Sequence, residues 1–448
     1  MRTLIAGAVL TCFVLCPAIA DEVQPAKTLK ECVEIAIAQH PSLKAADASV
    51  QAGHARVWEA AANYIPQLNA NYNVDRRWTT LSALTGAPSS AQLPTPGVTP
   101  VVNRSSGPLY ATFNFYKTGV SFSQLLFDFG QTLNSIRSAQ AAERSLQADL
   151  STQRDTVVLN VKQAYFNVLA AIRLLGVADE TVRQNQKHLD QAEGRYHVGL
   201  AAKFDVTQAE VQLANAELNQ VTARNNVAVA RETLRNALGL TVRLDFDIVD
   251  NFDVHAVQVS EEEALGKAYD KRPELQSIRA MEVSTAEQIT SLEKNYLPTL
   301  SGNGYYQWTG SNYPLDPSWD VGAAVKFQFN NGGLYPAQIA EQEANLSNLK
   351  FNEEVLRQNI ALEVRQDTLN LQQAAESIRV AEKGVQQARE NLDLAEGRYN
   401  TGVGNIIELT DAQASRTTAE ANYVQALYTY KTSVAALEKA TATQLASD

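Results

Sequence analysis

Hydrophobic and polar positions alternate along four short stretches of this chain and recur at helical spacing along two long ones. After Tyr64-Ile65-Pro66, Leu68, Ala70, Tyr72 and Val74 fall on one side of an extended chain and Gln67, Asn69, Asn71 and Asn73 on the other. That pattern predicts a strand with one apolar and one wet face. A second run places Phe113 and Phe115 opposite Asn114, then Val120 and Phe122 opposite Ser121 and Ser123. A third sets Leu300, Tyr306 and Trp308 against Thr299, Tyr305 and Gln307. The fourth is the clearest, with Trp319, Val321, Ala323, Val325, Phe327 and Phe329 facing one way and Asp320, Lys326 and Gln328 the other. This suits lipid outside and water inside, although an ordinary sandwich sheet alternates in the same manner.

The two long segments, residues 131–238 and 337–442, contain no proline and are rich in Ala, Gln, Glu, Leu and Arg, which favour helix. Val161, Tyr165, Val168, Ile172 and Leu175 are spaced 4, 3, 4, 3, and Tyr423, Leu427, Tyr430, Val434 and Leu437 repeat that spacing. Such stripes predict coiled-coil packing, so each segment is expected to fold as a helical hairpin. The first arm, residues 131–196, would reach about 100 Å, since a helix rises 1.5 Å per residue.

The halves of the chain repeat each other. Ala192-Glu193-Gly194-Arg195-Tyr196 with Gly199 recurs 203 residues later as Ala395-Glu396-Gly397-Arg398-Tyr399 with Gly402. Tyr64-Ile65-Pro66-Gln67-Leu68 recurs 232 residues later as Tyr296-Leu297-Pro298-Thr299-Leu300. The offset falls by 29, so the first copy carries an extra loop, and the proline-rich residues 81–108 fit it; its shorter counterpart is 310–318. The expected organisation is a signal at 1–20, a first repeat at 21–250 and a second at 251–448. Each repeat consists of a helix, a strand pair and a long helical hairpin.

Charge and composition narrow the function. The chain has 448 residues, 45% hydrophobic and 19% charged, with 38 Lys and Arg against 49 Asp and Glu. A formal charge of -11 without a basic run argues against nucleic acid. Arg2, the apolar run from Leu4 and Ala18-Ile19-Ala20 form an export signal. Cys16 after Val14-Leu15 leaves lipidation open, although Leu is large for that position. Cleavage would leave Cys32 as the only thiol, which excludes an internal disulfide and a zinc cluster, and five scattered His give no metal spacing. No nucleophile elbow or phosphate loop is present, so neither catalysis nor a cofactor is expected.

Past the signal there is no run of about 18 apolar residues, so a membrane crossing must use strands. Four strands cannot close a membrane barrel, because about eight or more are needed to leave no exposed edge. Chains must pool strands: a dimer brings eight and leaves a lumen filled by side chains, whereas a trimer brings twelve and makes a wide polar pore.

With the Tyr-x-Pro-x-Leu strand entries, Leu126-Phe127-Asp128-Phe129-Gly130 and the two Tyr-x-x-Gly hairpin tips, the mature chain resembles the TolC family of outer-membrane efflux channels. The resemblance implies a mainly α, internally duplicated fold with four transmembrane β-strands per chain. It implies a homotrimer with a twelve-stranded barrel in outer-membrane lipid and a helical tunnel in the periplasm. A periplasmic adaptor and an inner-membrane pump would complete a tripartite efflux or type I secretion system. By resemblance, Tyr399 is the locking tyrosine, Asp205 its acidic partner, and Glu408 with Asp411 the carboxylates ringing the constriction. Gly199-Leu200 and Gly402-Val403 are the adaptor-contact turns.

Simpler roles are open to the same residues. Asp205 and Glu408 lie where carboxylates cap helix N-termini, and both glycines suit a turn that needs positive φ. A non-conducting stalk or adhesin would share the signal, strands and heptads.

Overall fold

A computed structural model describes residues 24–80, 110–241, 246–250, 260–328 and 331–444. The expected signal at 1–20, Cys16 and the loop at 81–108 lie outside them. The elements in order are β1 (Gln24–Lys27), α1 (Leu29–Gln39), α2 (Pro41–Ala61), β2 (Gln67–Thr80), β3 (Tyr110–Phe127), α3 (Gln131–His197) and α4 (Lys203–Ala237). There follow β4 (Phe246–Ile248), α5 (Glu261–Lys271), α6 (Pro273–Glu293), β5 (Thr299–Gly310), β6 (Asp316–Lys326), α7 (Leu334–Thr401) and α8 (Ile406–Thr441).

The duplication is plain in the lengths. Helices of 11, 21, 67 and 35 residues in the first half answer helices of 11, 21, 68 and 36 in the second. In both halves a proline splits the leading helix. His40 before Pro41 and Arg272 before Pro273 are extended, with ψ 125 in each, because the proline ring bars the residue before it from helical backbone. The chain forms two compact units: residues 1–45, 151–272 and 358–448, and residues 46–150 and 273–357. Each draws on both repeats.

The second unit holds one antiparallel sheet in the order β2-β3-β5-β6. Its register sorts the side chains onto two faces. Leu68 pairs with Phe122, Leu300 with Val325 and Tyr306 with Trp319 on one face; Asn69 pairs with Ser121 and Tyr305 with Asp320 on the other. Leu68, Trp319, Val321 and Val325 on the apolar face are all exposed. One sequence assignment changes. β3 runs opposite β2 without a break from Ser123 to Tyr110, so Phe113 and Phe115 share the face of Ser121 and Ser123, not that of Val120 and Phe122. Arg77 stacks over the Phe115 ring at 3.8 Å on that polar face. Beneath the sheet, α3 and α6 meet through paired hydroxyls: Ser135 with Ser291, Ser138 with Ser284 and Ser145 with Ser277, at 2.9–3.1 Å.

The first unit holds the helical hairpins. Leu427, Tyr430, Val434 and Leu437 of α8 are buried, and the last three cluster with Leu371 and Ala374 of α7. Val161, Tyr165 and Val168 of α3 are buried too, but Ile172 is 37% exposed. Its stripe opens into a groove of about 1260 Å³ between α3, α7 and α8, walled by Arg379, Arg389 and Tyr423. A short parallel pair, β1 with β4, lies in this unit and has no counterpart in the sequence reading. Tyr165 donates its hydroxyl to the carbonyl of Val249 at 2.6 Å, just past β4.

An ionic cluster joins the end of α5 to both long helices. Buried Arg272 pairs with Glu363, and Lys439 Nζ lies 3.2 Å from the same carboxylate. Asp367, one turn along α7, gets less from these cations. Burial first, and then the Glu363 charge, push its carboxyl from an ordinary 3.8 to about 6. Because the folded value lies above the unfolded one, Asp367 supports the fold below about pH 4, and that support is lost as pH rises through 6. Asp367→Asn is therefore expected to raise the melting temperature of the purified protein by about 1–3 °C at pH 8 and to leave it unchanged near pH 4. A loss at pH 8 would contradict this account of the cluster.

Candidate functional site

Two helix-to-helix turns of the first unit carry every residue singled out for gating and partner contact. α3 and α7 end alike. The Gly199 N–H donates to the Tyr196 carbonyl at 3.0 Å and Leu200 N–H to Arg195 at 2.8 Å; Gly402 N–H donates to Tyr399 at 3.2 Å and Val403 N–H to Arg398 at 3.0 Å. This termination needs a left-handed residue, and the glycines supply it with φ of 76° and 78°. A Cβ at either would meet nothing within 4 Å, so their role is backbone conformation and not close packing. The turn ejects the next residue into solvent: Leu200 is 80% and Val403 72% exposed.

The returning helices start differently. α8 is capped by Asn405, whose Oδ1 accepts the Glu408 N–H at 2.8 Å, while α4 begins after Ala202 with no side-chain cap. Neither Asp205 nor Glu408 is itself the cap residue, although both lie in the first helical turn, where the positive helix end favours a carboxylate. Glu408 Oε1 lies 2.8 Å from Arg398 Nε. Asp411 is exposed, and no hydrogen bond or ion pair reaches its carboxylate among the described residues.

Tyr399 is only 3% exposed, packed with Leu392, Ala395, Ile406, Leu409 and Ala412. Its hydroxyl is buried and has no hydrogen-bond partner among the described residues. Burial raises the phenol above its ordinary range, the Arg195 cation opposes this, and the Asp205 carboxylate adds to the rise. Tyr399 and Asp205 are thus brought close enough to interact through charge, without a hydrogen bond. The second buried polar group nearby is His188, whose ring nitrogens also find no partner, and burial lowers its pKa.

The connection between the two turns is Arg195. Its guanidinium donates to the Tyr399 carbonyl at 2.6 Å and to the Asn400 carbonyl at 2.8 Å, and lies 4.4 Å over the Tyr399 ring. These are last-turn carbonyls of α7, where a cation is favoured by the helix dipole. Its repeat counterpart Arg398 turns to Glu408 instead. The duplication therefore marked both arginines, but only the fold shows that they have taken different jobs. Among the described residues no three His, Cys, Asp or Glu side chains gather to hold a metal, and no helix is long and apolar enough to cross a membrane.

The chain is 25% identical to outer membrane protein TolC of Escherichia coli strain K12 over 424 residues, which span 90% of this chain and 80% of that protein. Among solved structures it superposes on the Campylobacter jejuni CmeC outer membrane channel with a TM-score of 0.77 at 17% identity, covering 94% of this chain and 87% of the other. It also superposes on the open state of the Neisseria gonorrhoeae MtrE outer membrane channel, with a TM-score of 0.74 at 18% identity over 93% and 89%. The family model described as outer membrane efflux protein matches residues 32–240 and 264–443, and the chain belongs to that family, an efflux protein of the outer membrane.

Proposed function

We propose that three copies of this chain form the exit duct of a tripartite efflux or type I secretion system, moving cargo without catalysis. The supporting observation is the four-stranded sheet with one apolar face and two unpaired edges, β2 and β6. In hydrocarbon each unpaired backbone group costs several kcal/mol, so the edges must join those of other copies. The apolar face then meets outer-membrane lipid and the Asn-, Ser- and Gln-rich face lines the lumen. The helical hairpins form the periplasmic conduit, their turns facing an adaptor that links the duct to an inner-membrane pump. The residues 21–250 and 251–448 act as two structural repeats within each copy.

Gating in this reading belongs to the turns. Arg195 ties the end of α7 to the end of α3, and opening requires that tie to break. The fork makes two charge-assisted bonds, which lysine cannot reproduce at once. Arg195→Ala is expected to shift the closed-to-open balance about tenfold toward open, and Arg195→Lys to restore little of it, read as open time in single-channel records. Closed-state lifetimes equal to wild type would contradict this role.

Around a threefold axis Glu408 and Asp411 give six carboxylates, which favour cations and bind divalent ions. The Glu408→Ala, Asp411→Ala double variant should lose most cation selectivity and divalent block; unchanged selectivity would reject the ring. At the tips, Leu200→Glu with Val403→Glu leaves both glycine turns intact and should abolish crosslinking to the adaptor while the trimer persists. Undiminished crosslinking would place the contact elsewhere.

A further inference from the structure

The passage from β3 into α3 contains a residue in a conformation that its side chain disfavours. Phe129 has φ of 54°, and Gly130 follows at 83°. Left-handed backbone strains a bulky L-residue and is free to glycine. The second repeat makes the same entry to a long helix with Gly332 at 69° and Gly333 at 85°, directly before α7. Gly332 stands 203 residues after Phe129, the offset that relates the repeats. Glycine therefore serves this turn elsewhere in the same chain, and the first repeat bears the strain to keep a phenyl ring.

The ring is not needed to hold the turn. Asp128 accepts the N–H groups of Gly130 at 3.0 Å and Thr132 at 2.7 Å, and Lys294 Nζ donates to Asn134 Oδ1 at 3.0 Å. Phe129 is 46% exposed and touches Phe127 edge-on, with ring centroids 4.7 Å apart.

The strand before it is also re-aimed. Leu125 pairs with Ser301 on the polar face, but the register then shifts and Phe127 pairs with Leu300 on the apolar face. Leu126 lies over the bare backbone of Gly302, also on the apolar face. A bulge thus places two successive apolar side chains on one side of β3. Both are exposed. β3 is not an edge strand, so this patch lies away from the strands that would join a neighbouring copy.

We propose that Leu126, Phe127 and Phe129 form a lipid anchor at the headgroup boundary of the membrane leaflet on the helical side, continuous with the apolar face of the sheet. This rests on the reading of that face as lipid-facing. Aromatic rings favour that boundary, where a bulge and a strained residue both deliver them.

The test uses the full chain in vesicles of phosphatidylethanolamine and phosphatidylglycerol, with a nitroxide on Phe129→Cys; Cys32 is buried. Val325→Cys reports the apolar face and Leu200→Cys reports water. The expected result is oxygen access exceeding that of an aqueous nickel chelate at 129, as at 325 and opposite to 200. Chelate access dominating at 129 with 325 in lipid overturns the anchor alone. A label reached by neither quencher marks a contact between copies and overturns it too. Chelate access at 325 brings down the barrel reading together with the anchor. In parallel, Phe129→Gly should melt no lower than wild type in detergent and should lose part of the stabilisation gained on transfer to vesicles. Lower melting in detergent would make the ring ordinary fold packing and overturn the proposal.

Discussion

The open edges of the sheet impose the constraint on which everything else depends. β2 and β6 each present a row of backbone N–H and C=O groups with no partner in the chain. Water satisfies such groups, but hydrocarbon does not. The apolar face, with exposed Trp319, Val321 and Val325, is equally unsuited to water. The two facts together demand both a membrane and other copies of the chain, and symmetry among the copies follows from that demand. A ring of carboxylates at the turns has meaning only within such symmetry.

The helical unit is built on a different balance. Its buried stripes use tyrosine and small residues with few large aliphatics: Tyr165 reaches a backbone carbonyl, and Tyr399 closes the second hairpin with an unpaired hydroxyl. Buried ions such as Arg272 with Glu363 add geometric specificity at an energetic disadvantage, which Asp367 registers directly. Cores of this kind tolerate alternative packings better than tightly interlocked aliphatic ones. A conduit that must change diameter at its turns gains from that property.

Much of this was legible before the fold was seen. Proline-free segments with 4, 3 spacing gave both hairpins to within a residue or so, because helix period and helix punctuation are local signals. The 203-residue repeat located the paired turns, and their glycines have the positive φ expected of them. The parity of β3 was not legible in the same way. Phe113 and Phe115 look apolar-facing in isolation, and only unbroken pairing with β2 shows that they share the face of Ser121. The β1–β4 pair joins segments more than two hundred residues apart, beyond the reach of any pattern in a short window. Arg195 was quoted as part of a repeat and missed as a tie, since its bonds go to backbone carbonyls that carry no side-chain signature.

The pooling of strands is the central claim, and it is tested most directly by the mass of the detergent-extracted particle and its single-channel conductance in a planar bilayer, taken from one preparation. The account predicts three chains per particle and small, cation-selective openings. A monomeric particle, or a bilayer that stays silent, would contradict it.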